Sequence, residues 1–122
     1  MPHLVLEYTK NVKFKTNFTD LFTALHKTLK NAANMNMEDC KSRAVKLENY
    51  SVSDSKNQSE FAHLSVSILE GRSPDLKQLI GETLLDKLKD AVQTDSQIVD
   101  LQITIEIKEM VKSQYFKYTV SK

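Results

Sequence analysis

Proline in second place, after Met1, is the residue whose type and position most directly suggest chemistry in this chain. Methionine aminopeptidases remove an initiator Met when the next side chain is small, and proline qualifies. With Met1 gone, the ring nitrogen of Pro2 becomes a secondary amine held stiffly at the end of the backbone. An unperturbed α-amino group titrates near ~8, and an apolar pocket or neighbouring cations lower that value. Such an amine can take a proton from a position next to a carbonyl at physiological pH. If it stays an amide, Pro2 simply starts a strand, where its missing N–H costs nothing.

The second candidate is Gly71-Arg72-Ser73-Pro74. Gly71 permits a tight turn, and Arg72 stands beside the free N–H groups of a helix start, a favourable place for a carboxylate. The remaining candidates are weaker. His3, His26 and His63 lack metal-ligand spacing, and His26 falls on the polar side of its helix. His3 and His63 read as strand residues hydrogen-bonded near the second face of a sheet. Cys40 adjoins Lys41, a neighbour that lowers a thiol pKa, but an incidental buried or loop cysteine is the favoured reading. Glu7 and Glu106 lie in strands, with nothing to place them as an acid pair.

Composition narrows the classes. A chain of 122 residues suggests one domain with room for a real core. Its 40% hydrophobic and 27% charged content is that of an ordinary soluble protein. A formal charge of +1 gives no electrostatic reason to expect nucleic acid or an anionic membrane as partner. No apolar stretch reaches membrane-spanning length, and Glu7, Lys10 and Lys13 interrupt any signal-peptide pattern. One cysteine fits a reducing cytoplasm. Two glycines rule out a glycine-rich phosphate loop.

Two similar units must position these residues. Leu4 to Tyr8 reads as a strand. Phe18, Leu21, Phe22, Leu25 and Leu29 then mark one face of a helix, with Thr16 or Asn17 as its cap. Residues 44–50 read as a second strand, and Ser51 to Glu60 as a loop. The pattern returns in Phe61 to Leu69, with Ala62, Leu64, Val66 and Ile68 on one face. Ser73-Pro74-Asp75 starts a second helix, striped by Leu76, Ile80, Leu84, Leu88 and Ala91. Val99 to Lys108 alternates Leu101, Ile103, Ile105 and Ile107 with polar residues. The expected fold is α/β (α+β): two pseudo-symmetric βαβ units, approximately 2–56 and 57–122, sharing a four-stranded mixed sheet with both helices on one face. Right-handed crossovers make each unit's strands parallel. A two-fold between the units sets the third strand antiparallel to the first, bringing Arg72 near Pro2. The uncovered sheet face suggests that other copies of the chain cover it.

Pro2 and the Glu70-Gly71-Arg72-Ser73 turn together are far more specific. The chain resembles the tautomerase superfamily, and within it the 5-carboxymethyl-2-hydroxymuconate Δ-isomerase family. The resemblance spans nearly the whole chain. It rests on Met1-Pro2-His3-Leu4 with Glu7-Tyr8, on Lys41-Ser42-Arg43-Ala44, on Phe61-Ala62-His63-Leu64, and on Leu69-Glu70-Gly71-Arg72-Ser73. It implies a cytoplasmic homotrimer whose three sheets form an inner barrel, without metal or organic cofactor. Pro2 would be the base that moves a proton in a conjugated enol acid, giving the isomeric unsaturated keto acid. Arg72 would hold a substrate carboxylate or polarise the enolate oxygen. Lys41 stands where the family usually has the first arginine of an Arg-Ser-Arg segment; it keeps the charge without the bidentate fork. Arg43 is a further candidate substrate contact. The family serves bacterial breakdown of homoprotocatechuate, and the tail from Tyr115 to Lys122 follows it only loosely. Two other readings stay open: a tautomerase-fold enzyme for another α-keto acid, and a non-catalytic trimeric interaction module.

Overall fold

A computed structural model describes residues 1–54, 59–94 and 100–121. Strand β1 (His3–Thr9) leads into helix α1 (Phe18–Ala33), a short 3-10 turn at Met37–Asp39 and strand β2 (Lys41–Leu47). Strand β3 (Ser59–Leu69), helix α2 (Pro74–Ala91) and strand β4 (Asp100–Met110) repeat the order. A second 3-10 turn, Lys112–Gln114, opens the C-terminal tail. The sheet order is β2-β1-β3-β4. Both outer pairs are parallel, and the central β1–β3 pair is antiparallel, with His3 opposite Ser67. This is the mixed sheet expected from the repeat.

Local chemistry explains the helix ends. Asn17, not Thr16, caps α1 by accepting from the Asp20 backbone N–H at 2.8 Å. Asn34 closes it in the left-handed conformation, at φ 54°. Ser73 caps α2 by accepting from the Leu76 N–H at 3.1 Å, and Pro74 occupies its first turn.

The core lies between one sheet face and the two helices. Leu4, Leu6, Leu64, Val66 and Ile68 face it from the sheet; Leu25, Leu29, Ile80, Leu84 and Leu88 meet them from the helices. Fully burying each such side chain contributes about 1.5–3 kcal/mol. Tyr8, Phe14, Phe18 and Phe22 form an aromatic cluster at one end, with ring centroids 5.2–5.9 Å apart. The opposite sheet face carries His3, Glu7, Lys41, Arg43 and His63, all half-buried or exposed.

Three boundaries differ from the sequence expectation. Strand β2 begins at Lys41 and ends at Leu47, three residues early. Parallel pairing with β1 decides this, since the Lys41 N–H donates to the Pro2 carbonyl at 3.0 Å and His3 aligns with Lys41. Hydrogen-bond register therefore outranks the apolar run that begins at Ala44. Ser59 and Glu60, expected in a loop, already belong to β3 and are buried. Strand β4 runs on to Met110, while the expected start at Val99 lies outside the described residues.

Candidate active site

The N-terminal end of β1 places Pro2 and His3 on opposite faces of the sheet. Pro2 is buried on the helix side, like Leu4 and Leu6, and His3 is half-buried on the open side. With Met1 present, the Pro2 nitrogen is an amide, and the free amine is that of Met1. Burial pushes the pKa of this amine below 8.0. Asp39 and Cys40 oppose the shift, whereas the cationic Arg72 and Lys117 add to it.

Arg72 reaches this neighbourhood because β3 runs antiparallel to β1 and ends beside its start. Gly71 makes the turn at φ +115°, a region that L side chains rarely adopt. Glu70 fixes the turn to the tail: its carboxylate accepts from the Lys112 N–H at 2.7 Å. Arg72 is half-buried and donates through Nη1 to the Leu69 carbonyl at 3.4 Å. That bond is long, so most of its donor capacity is free for another acceptor.

Beside the N-terminus opens a cleft of about 460 Å³, lined among others by Met1, Asp39, Lys41, Tyr115, Lys117 and Tyr118. Lys41 is exposed, and its Nζ donates to the Asp39 carbonyl at 3.3 Å. Lys117 Nζ stands 3.9 Å from Asp39 Oδ1 and 3.4 Å from Met1 Sδ. On the sheet's open side, Arg43 Nη1 lies 3.2 Å from His3 Nδ1, and His3 Nε2 lies 2.9 Å from the Tyr115 hydroxyl. Burial, Arg43 and Lys41 all depress the His3 pKa, in that order. The structure thus gathers the N-terminus, Lys41, Arg43 and Arg72 at one end of the sheet. Lys41 lines the cleft itself, and Arg72 acts on the N-terminal amine through its charge.

Asp39, Tyr115 and Lys117 also belong to this end, and sequence reasoning missed them. They come from a 3-10 turn and an irregular tail, outside the repeat that organised the rest. The thiol pKa of Cys40 is raised, because burial outweighs the adjacent Lys41, as suits an incidental cysteine rather than a reactive one. His26, on the polar side of α1, is half-buried, and its Nε2 lies 2.6 Å from Ser42 Oγ, tying α1 to β2. Glu7 and Glu106 are no acid pair; His63 lies between them, opposite Glu7 in register and 3.2 Å from Glu106. Among the described residues, no three His, Cys, Asp or Glu side chains group to hold a metal ion. Nor is any helix among them long and apolar enough to cross a membrane.

The paired βαβ units sharing one four-stranded mixed sheet are those of the tautomerase fold. A fused 4-OT symmetric trimer superposes with a TM-score of 0.72 at 12% identity, covering 91% of this chain and 87% of that one. The family model for 5-carboxymethyl-2-hydroxymuconate isomerase matches residues 2–120, and the chain belongs to that isomerase family. The 5-carboxymethyl-2-hydroxymuconate Δ-isomerase of Escherichia coli is 25% identical over 119 residues, 96% of this chain and 93% of that protein. A 5-carboxymethyl-2-hydroxymuconate isomerase from Deinococcus radiodurans R1 superposes with a TM-score of 0.82 at 28% identity, over 98% of this chain and 90% of that one.

Proposed function

We propose that this chain isomerises 5-carboxymethyl-2-hydroxymuconate or a closely similar enol acid, without a cofactor, using the processed N-terminal Pro2 as base. The substrate follows the names of the two relatives just described. The observation that carries the base assignment is the setting of the N-terminal amine. Burial, helped by Arg72 and Lys117 and opposed by Asp39 and Cys40, holds the Met1 amine below the ordinary α-amino range, and loss of Met1 moves the free amine one residue inward, to the buried Pro2. Burial favours the neutral, proton-accepting form of such an amine.

The balanced step needs nothing further. The enol hydroxyl gives its proton to the Pro2 nitrogen, and the oxygen's electron pair forms a carbonyl. The double bonds shift along the conjugated chain, and Pro2 returns the proton to a distal carbon. Arg72, with donor capacity to spare, meets the developing oxyanion or an adjacent carboxylate, and Lys41 with Arg43 offers positive charge to the remaining carboxylates. The assembly we infer is a cytoplasmic homotrimer in which each open sheet face is covered by its neighbours.

The test is the loss of dienol absorbance on adding protein freed of Met1. We expect turnover in the wild type and a large loss in Pro2→Ala, which keeps a primary amine on a less rigid backbone. Turnover of phenylpyruvate enol alone would redirect the reading to another α-keto acid. Absence of turnover on both would contradict it.

A further inference from the structure

We infer that Tyr115 is a second hydrogen-bond donor of the site, and that His3 and Arg43 turn its hydroxyl proton toward the cleft. This rests on reading the cleft at the N-terminus as the substrate site. Three side chains in series fix where the protons lie. A guanidinium only donates, so Arg43 Nη1, 3.2 Å from His3 Nδ1, requires that nitrogen to be the acceptor. In a neutral imidazole the proton then sits on Nε2. Nε2 is 2.9 Å from the Tyr115 hydroxyl, so the ring donates and the tyrosine oxygen accepts. The hydroxyl's own proton is left without a use in this chain of bonds. Tyr115 lines the cleft together with Met1 and Lys41.

The neutral ring that this order needs is favoured by its surroundings. Burial leads, and Arg43 and Lys41 on β2 add to it; all three oppose protonation of the ring. The ring of Tyr115 is also fixed, standing edge-on to His3 with centroids 6.0 Å apart. A neutral hydroxyl donor so held can meet a carboxylate or enolate oxygen at a point the cationic side chains do not occupy. His3 and Arg43 are positioning residues here, and Tyr115 is the group that touches substrate. The tail, which departs from the repeat, thereby supplies a specificity contact for an oxyacid.

The experiment uses Met1-free protein and the dienol substrate. Tyr115→Phe should fold normally and lose roughly ten- to a hundredfold in kcat/KM, the effect of one hydrogen bond to a charged oxygen. His3→Leu should lose a similar factor alone, yet little more when added to Tyr115→Phe, because it acts through that hydroxyl. Nitrogen-15 NMR of the wild-type ring should show His3 protonated at Nε2 and bare at Nδ1. Active wild type with Tyr115→Phe within about twofold of it overturns the donor role alone. Additive losses overturn the relay, and so does a proton on Nδ1, which the wild-type spectrum reads even if a variant fails to fold. Inactive wild type removes the substrate-site reading and this inference with it.

Discussion

Replacing Arg72 by alanine should cost the enzyme much more than replacing Arg43, and the structure says why. Arg72 sits half-buried after the Gly71 turn, at the start of α2, with one long 3.4 Å bond to the Leu69 carbonyl. Losing that bond should change stability by no more than about 0.5 kcal/mol. What a bound carboxylate or oxyanion loses is a charge-assisted hydrogen bond, worth roughly 1.5–3 kcal/mol. At about 1.4 kcal/mol per tenfold, kcat/KM should fall by about tenfold to somewhat over a hundredfold. A second signature accompanies it. Arg72 helps to depress the N-terminal amine, so its removal should shift the acidic limb of the rate profile to higher pH. Arg43 is exposed and donates to His3 Nδ1; its loss removes a bias on the ring rather than a buried charge. Initial rates on the dienol across pH, with thermal melts of each variant, separate these effects. Equal and small losses from both substitutions would mean that the carboxylate site is misplaced.

Sedimentation equilibrium should give a trimer at micromolar concentration, and a monomer would remove both the assembly and any site completed by a neighbour. His3 and His26 both have pKa values held below 6.5, with burial the leading cause. The unfolded chain therefore binds more protons than the native one as pH falls below that value, and stability declines with it. Melting temperature should drop between about pH 7 and pH 5, and less steeply in His26→Gln, whose amide nitrogen stands close to the Nε2 position; an unchanged slope would exclude His26 as a contributor. Gly71→Ala should cost about 1–3 kcal/mol in denaturant unfolding, since φ +115° strains any L side chain although the added Cβ would meet nothing nearer than 3.8 Å. A neutral change there would show that the turn can relax.

The repeated unit was legible because its signals are local. Alternation in Phe61 to Leu69, the apolar stripe from Phe18 to Leu29 and the Ser73-Pro74 cap each specify an element without help from distant residues. The pairing order followed from handedness and the two-fold. Register was less legible: β2 starts at Lys41 because its N–H meets the Pro2 carbonyl, a long-range bond that the apolar pattern does not encode. The same limit explains the site. Pro2, Lys41, Arg43 and Arg72 stand at element ends that the repeat brings to one place. Tyr115, Lys117 and Asp39 reach it through an irregular tail and a 3-10 turn, where no periodicity predicts direction. For Cys40 the sequence shows a neighbouring cation but not the burial that outweighs it.

The Pro2 nitrogen is tested most directly by comparing protein that keeps Met1 with protein that has lost it, each verified by intact mass. Both forms should show the same circular dichroism and the same oligomeric state, because the difference lies at the surface end of β1 and leaves the core intact. Only the processed form should consume the dienol, with a rate that rises as pH passes a proline pKa below the usual α-amino value. Met1-bearing protein that turns substrate over as fast as processed protein would show that the base is not Pro2.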